Sequence, residues 1–399
     1  MRILLSYSYK YVPYYQRIFN RLGITPNDIK TEKDFENFPV LTKNDLQSNL
    51  NDLVSNNFNI QKLIKNSSGG STGEPTIFFQ DSLRNELRKA YVMRHNKWAG
   101  WDIGKKTALI WGIDDESNLH KRFKSKIKNY FIGKKIWLNA FDLSEQKIIK
   151  FSNKLQKYKP DIVIGYSSAL YNVFKILKEK RISIPPPKGI VSSAEALYSW
   201  QRELIEEVSG ANVFNRYGSR EIGLICSQCS NKSEMHINAE NVYVECIKNN
   251  KSVANGEVGN VVATDLLNYG MPLIRYDTED NATFSDKICD CGRGLPLIKT
   301  IHGRTSDMIK TEDGRLIHGE YFTHLFYGIN GINKFQLIQK KNNSIELMIE
   351  VKSNFNPEII KTLKFKITKA TKSKNVSVNI VDEIPLLNSG KHRFTISEI

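Results

Sequence analysis

Asp161-Ile162-Val163-Ile164-Gly165-Tyr166 is the stretch on which the fold turns. Its run of β-branched residues is short, with Pro160 before it and Ser167-Ser168 after it, so it reads as a buried strand. Upstream, Ser144 to Tyr158 carries Ile148, Ile149, Phe151 and Leu155 at helical spacing until Pro160 stops the pattern. Downstream, Leu170, Val173, Phe174 and Leu177 share one helical face. The rhythm extends both ways: Thr107-Ala108-Leu109-Ile110-Trp111 reads as another buried strand, and Gly189-Ile190-Val191 as a third, followed by a helix from about Trp200 to Val208. Strand–helix alternation of this kind builds an open α/β sheet whose ligands sit at the C-terminal ends of the strands.

After Gly223 the pattern changes. Val242-Tyr243-Val244-Glu245 alternates with period two and Val258 to Asp265 is β-branched, so the region of about 224–300 is expected to be β-rich. Residues 1–65 read as helical and polar, with Thr42 or Asn44 as candidate caps. From Gly303 the chain reads as a small α+β lobe, with a helix from about Pro357 to Thr371 and a strand Val376-Ser377-Val378-Asn379-Ile380. A chain of 399 residues is long for one core. The expectation is an α/β protein: a large N-terminal domain over 1–302, with open mixed α/β sheets plus a β-rich subdomain, and a small C-terminal domain over 303–399.

Composition restricts the class without choosing the function. A hydrophobic fraction of 40% and a mean hydropathy of -0.41 suit a soluble globular chain, and no apolar run approaches the ~20 residues that cross a bilayer. Met1-Arg2-Ile3-Leu4-Leu5 lacks a signal-peptide core, so a cytoplasmic enzyme is the default expectation. A net charge of +16 favours encounter with polyanions, among them nucleotides, coenzyme A, nucleic acids and anionic membranes. The densest basic run, Lys121 to Lys135, interleaves Phe123, Ile127, Tyr130 and Phe131, which reads as a helix face over a core stripe or as a peripheral membrane contact. Five cysteines, an odd number, argue against a disulfide framework.

Asn66-Ser67-Ser68-Gly69-Gly70-Ser71-Thr72-Gly73-Glu74-Pro75 precedes the apolar run Thr76-Ile77-Phe78-Phe79. Glycines allow close backbone approach, and successive N–H groups with hydroxyls can surround phosphate oxygens. The loop lacks the Gly-Lys-Ser/Thr ending of a Walker A and leads into a strand, and a flexible Ser/Gly linker would look similar.

Four further segments follow in order: Tyr217-Gly218-Ser219-Arg220-Glu221, Arg275-Tyr276-Asp277-Thr278-Glu279-Asp280, Gly303-Arg304-Thr305-Ser306-Asp307 and Asn388-Ser389-Gly390-Lys391. With the first loop they resemble the ordered motifs of the adenylate-forming (acyl-activating) superfamily, most closely the phenylacetate–CoA ligase family and its CapK-type relatives in capsular-polysaccharide biosynthesis. The resemblance implies ATP-dependent carboxylate activation, with Mg²⁺, through an acyl-adenylate, then acyl transfer to coenzyme A or to an amine. It implies that Ser67, Ser68, Gly69, Gly70, Ser71, Thr72 and Gly73 cradle phosphates, although Glu74 stands where the family often has lysine. Tyr217 would stack on adenine beside Gly218, Ser219 would bond the α-phosphate, and Glu221 would serve the metal. Asp280 matches the ribose-binding carboxylate, with Asp277 a nearby competitor, and Glu279 replaces the usual glycine. Arg304 matches an arginine near ribose and phosphates, and Arg275 reads as structural. Ser306 and Asp307 would form the hinge of a mobile C-terminal lobe carrying the catalytic Lys391. Tyr166, Ser193 and Glu195 would line the acid pocket.

Cys226-Ser227-Gln228-Cys229, His236 and Cys289-Asp290-Cys291-Gly292 offer thiolate and imidazole ligands of the kind that hold zinc. The CapK-type resemblance implies a structural site of Cys229, His236, Cys289 and Cys291, with Cys226 as alternate to His236. Two other readings stay open at this point: a basic zinc-containing nucleic-acid-binding protein, whose binding would fall steeply with salt, and a non-catalytic relative of the ligases.

Overall fold

The computed structural model describes residues 1–67, 76–112, 134–140, 143–232, 234–304, 308–313, 316–326, 329–385 and 392–399. The chain divides into two compact units, Met1–Ile301 and His302–Ile399.

The first unit opens with short helices, α1 (Arg2–Tyr11), α2 (Pro13–Leu22), α3 (Glu32–Phe35) and α4 (Lys43–Ser48). Thr42, not Asn44, caps α4: its hydroxyl accepts from Asp45 N at 3.1 Å while the Asp45 carboxylate accepts from Thr42 N at 3.0 Å. A hairpin of β1 (Ile64–Ser67) and β2 (Ile77–Gln80) flanks the Ser/Gly loop and feeds α5 (Ser82–Trp98). Then come β3 (Thr107–Trp111), β4 (Lys135–Asn139), α6 (Glu145–Tyr158), β5 (Ile162–Tyr166), α7 (Ser167–Glu179), β6 (Gly189–Ser193), α8 (Ser199–Ser209) and β7 (Val213–Ser219). The β-rich part comprises β8 (Gly223–Gln228), β9 (Met235–Ile237), β10 (Val242–Lys248), β11 (Lys251–Ser252), β12 (Val258–Asp265), β13 (Tyr276–Ser285) and β14 (Leu297–Arg304).

One 12-stranded sheet joins both parts in the order β11-β10-β12-β13-β14-β9-β8-β7-β6-β5-β3-β4. The β-rich part is therefore a continuation of the α/β sheet and not a separate one. From β4 to β7 the pairing is parallel; at β7–β8 it turns antiparallel. Two cores follow. Helices α6 to α8 bury Ile148, Phe151, Leu170, Phe174 and Ile205 against Ile110, Val163 and Ile190. The N-terminal helices and their connections bury Leu5, Phe19, Phe38 and Leu46 in a cluster with Ile225, Val261 and Ile274 of the β-rich part.

The second unit holds a small hairpin, β15 (Met308–Lys310) with β16 (Leu316–His318), then α9 (Gly319–His324). A four-stranded sheet of order β19-β18-β17-β20 follows, from β17 (Ile332–Gln339), β18 (Ile345–Val351), β19 (Val376–Val381) and β20 (Thr395–Ser397), with α10 (Ile359–Thr371) packed on β19. Leu363 and Ile367 of α10 share a core with Leu337, Leu347 and Ile349.

Candidate nucleotide site and cysteine–histidine cluster

Parallel strands β3, β5, β6 and β7 end, respectively, at Trp111, Tyr166, Ser193 and Ser219. The C-terminal edge of an open α/β sheet is where ligands bind, because loops diverge there and leave a crevice. Trp111 and Tyr166 pack with ring centroids 4.3 Å apart. Ser167 Oγ and Ser192 Oγ lie 2.6 Å apart, and Glu195 Oε2 accepts from Ser168 N at 2.8 Å. Glu195 thus supports the first turn of α7 with a carboxylate where the helix leaves N–H groups unpaired.

Tyr217-Gly218-Ser219-Arg220-Glu221 forms the tight antiparallel return from β7 to β8. A Cβ on Gly218 would lie 2.1 Å from Gly223 O, so no other residue fits there without moving the turn. Ser219 Oγ accepts from Ile222 N at 3.1 Å and steadies the corner. Arg220 Nη1 donates to Ser67 O at 3.0 Å, tying the turn to the end of β1. Glu221 is buried.

The Tyr217 hydroxyl donates to Asp280 Oδ2 at 2.8 Å and lies 3.2 Å from Thr278 Oγ1. Two motifs 63 residues apart in sequence therefore meet side by side. Burial first, then the Asp280 carboxylate, holds the Tyr217 phenol well above its ordinary range. Asp277 instead shapes the local backbone. Its Oδ1 accepts from Glu279 N at 2.8 Å, and Glu279 takes φ +61°, a left-handed conformation favoured by glycine. Arg275 is a buried anchor, paired with Glu245 at 3.0 Å and donating to Glu36 O at 2.8 Å and to Phe38 O.

Sequence reading missed the groups that hold these segments in place: Asp81, Arg84, Asp265 and Asn268, all buried. They lie outside the motifs; the only signal was a charged residue in the first turn of a helix, which is usually solvated. Of the expected site residues, Ser68, Gly69, Gly70, Ser71, Thr72, Gly73, Ser306, Asp307 and Lys391 lie outside the described residues, as do residues 121–133 of the basic run. Arg304 ends β14.

Cys229, His236, Cys289 and Cys291 converge with their four ligand atoms within 4.8 Å of one another. Cys229 Sγ and Cys289 Sγ are 3.7 Å apart, and Cys291 Sγ is 3.3 Å from His236 Nε2. Tetrahedral zinc with bonds of about 2.0–2.3 Å sets ligands roughly 3.3–3.8 Å apart, a range that these two separations meet, and the donor types are those zinc takes. Burial pushes the Cys229 thiol up to about 11. At Cys291 burial also raises the thiol, but hydrogen bonds from Arg293, with the thiols of Cys289 and Cys229, bring it down to about 7. Cys226 is not part of this set, which corrects the expectation of an alternate ligand. In the β8–β9 register Cys226 pairs with Ile237 while Ser227 pairs with His236, so pleat alternation sends Cys226 to the opposite face. There it packs in the apolar cluster with Met235 and Ile237.

Comparison with known proteins bears on the fold. The 2-hydroxyisobutyryl-CoA ligase in its postadenylation state with 2-HIB-AMP superposes with a TM-score of 0.78 at 18% identity, covering 100% of this chain and 88% of that one. The anthranilate CoA ligase AuaEII with anthranoyl-AMP superposes with a TM-score of 0.57 at 16% identity, over 84% and 66% of the two chains. The fold is that of the adenylate-forming ligases. The family described as CapK C-terminal domain matches residues 309–398. Protein CapK of Staphylococcus aureus is 23% identical over 404 residues, 99% of this chain and 87% of that protein. The phenylacetate-coenzyme A ligase of Aromatoleum evansii is 24% identical over 317 residues, 76% of this chain and 69% of that enzyme. The chain is thus similar to CapK over nearly its whole length and to phenylacetate–coenzyme A ligases over about three quarters of it, and its residues 309–398 match the CapK C-terminal family. Such relatives do not favour the nucleic-acid-binding alternative. Among the described residues, no helix is long and apolar enough to cross a membrane.

Proposed function

We propose that this protein is an AMP-forming ligase that activates a carboxylic acid with ATP and then passes the acyl group to coenzyme A or to an amine, a sugar amine of a surface polysaccharide being one such acceptor. A carboxylate is a poor acyl donor because oxide would have to leave; attack on the α-phosphorus of ATP expels pyrophosphate and makes AMP the leaving group. The observation that carries the reading is the hydrogen bond between Tyr217 and Asp280 beside the Ser219 turn, at the C-terminal edge of the parallel strands.

In this reading the Tyr217 ring packs on adenine and Asp280 accepts from the ribose hydroxyls. Ser219 and the loop from Ser67 to Gly73 bond phosphate oxygens, and the Glu221 carboxylate holds the Mg²⁺ that accompanies ATP. Arg304 and Lys391 neutralise charge growing on the α-phosphate, which is where preorganised donors lower a barrier most. Tyr166 and Ser193 face the acid. Cys229, His236, Cys289 and Cys291 hold a structural zinc: four protein ligands leave no open position for chemistry.

The test is pyrophosphate exchange into ATP with a panel of carboxylic acids. Exchange that depends on an acid, and that falls by about a hundredfold or more in Glu221→Ala and Asp280→Ala, is the expected result. Exchange absent with every acid, or unaffected by both substitutions, defeats the assignment.

A further inference from the structure

The first turn of α5 contains a buried polar node that belongs to none of the nucleotide motifs. Asp81 Oδ1 accepts from Arg84 N at 2.8 Å, and Asp81 Oδ2 accepts from Tyr269 N at 2.9 Å and Gly270 N at 3.2 Å. Arg84 Nε donates to Asp265 Oδ2 at 2.8 Å, and Arg84 Nη2 donates to the carbonyls of Glu221 at 3.1 Å and Ile222 at 2.7 Å. Asn268 Nδ2 donates to Phe79 O at 2.9 Å and Met271 O at 2.8 Å. Three segments meet here: β2, which follows the Ser/Gly loop; the turn that carries Ser219 and Glu221; and the stretch between β12 and the Arg275–Asp280 motif.

The side chains of Arg84 and Asp265 are 1% and 3% exposed. Burying such a pair carries a desolvation penalty that the ion pair barely offsets, and apolar side chains of similar volume could fasten a helix to a sheet at least as well. What a guanidinium adds is directed donation in a fixed fork. Here the fork spans two consecutive carbonyls, those of Glu221 and of the next residue. Holding both fixes the peptide planes after Glu221, and with them the direction in which its carboxylate leaves the backbone. A Cβ on Gly223 would come within 3.3 Å of Arg84 Nη2, so the guanidinium lies directly against the turn.

We propose that Arg84 is a positioning residue for the nucleotide site: paired with Asp265 and gripping the Glu221 and Ile222 carbonyls, it sets the Glu221 carboxylate at the angle that receives Mg·ATP. This rests on the reading of Glu221 given above. A scaffold role alone would loosen the site for any nucleotide. A positioning role weakens Mg·ATP and spares metal-free ATP.

The experiment is calorimetric titration of the purified chain with Mg·ATP and with ATP in EDTA, which requires no knowledge of the acid. The double variant Arg84→Gln/Asp265→Asn removes both charges together, so that neither is left buried alone, and Arg84→Lys keeps the charge on one donor. The double variant is expected to bind Mg·ATP about tenfold more weakly and to change by less than about twofold for ATP in EDTA, with Arg84→Lys between it and the parent. Unchanged Mg·ATP affinity in a cooperatively folded double variant overturns the proposal, as does equal weakening for both forms of the nucleotide. Should the double variant not fold, Arg84→Lys decides by the same two titrations. If the parent chain itself fails to bind Mg·ATP, the ligase reading falls and this proposal with it; if the parent binds and the variants match it, only this proposal falls.

Discussion

Glu279 occupies a left-handed backbone position inside β13, at φ +61°, with its N–H held by Asp277. An L-residue there costs about 1–2 kcal/mol relative to its preferred basins, while glycine loses part of that gain to chain entropy. Glu279→Gly is therefore expected to stabilise by about 0.5–1 kcal/mol, read as a higher urea midpoint at unchanged slope. Asp277→Ala, which removes the local acceptor, should move the midpoint the other way. Tyr217 separates ring from hydroxyl: Tyr217→Phe loses the hydroxyl's bonds to Asp280 and Thr278, while Tyr217→Ala also removes the ring. If the ring packs on adenine, the KM for ATP should rise several-fold in Tyr217→Phe and far more in Tyr217→Ala, and comparable effects would argue against stacking.

At the scale of elements, α5 packs on the sheet through a buried histidine. Burial first, with Arg216 and Arg94 nearby, pushes His95 down to about 3 from an ordinary value near 6.5. The unfolded chain then binds one more proton than the folded one between those two values. Stability should be full above about pH 6.5 and fall as pH drops toward 3, by up to about 1.4 kcal/mol per pH unit for this group. His392, lowered by burial to about 4, adds the same sign in the second unit. The His95 share can be read in urea unfolding at pH 7 and pH 5: His95→Gln should shrink the difference. The cysteine–histidine cluster joins β9 to the loops after β8 and β13, with Trp98 of α5 against His236 at 5.6 Å. One zinc per chain is expected by elemental analysis, lost in Cys289→Ser/Cys291→Ser. Chelation should lower the unfolding midpoint, since binding energy of a structural site is folding energy. A Cys226→Ser change should leave the zinc content untouched.

For the molecule as a whole, the chain divides into two compact units, Met1–Ile301 and His302–Ile399, and the proposed Lys391 lies in the sequence of the second. If Lys391 serves only adenylation, Lys391→Ala should abolish acid-dependent pyrophosphate exchange while conversion of a preformed acyl-adenylate to thioester proceeds within a few-fold of the parent. Equal loss in both steps would remove the argument for a lobe that exchanges its residues between half-reactions.

Strand–helix order, a cap at the start of α4 and the α10 and β19 segments were legible from local patterning, because periodicity and caps act over a few residues, whereas the Cys-His ligand set was implied by the CapK-type resemblance. The continuity of one sheet across both parts was not, since strand partners are chosen by packing between distant segments. The same holds for the face on which Cys226 lies, which register alone decides, and for Arg84, whose side-chain hydrogen-bond partners are 137 to 181 residues away in sequence. Chemistry-bearing residue types announce themselves in the sequence. The groups that aim them become visible only when the chain closes around them, because direction is a property of contacts and not of composition.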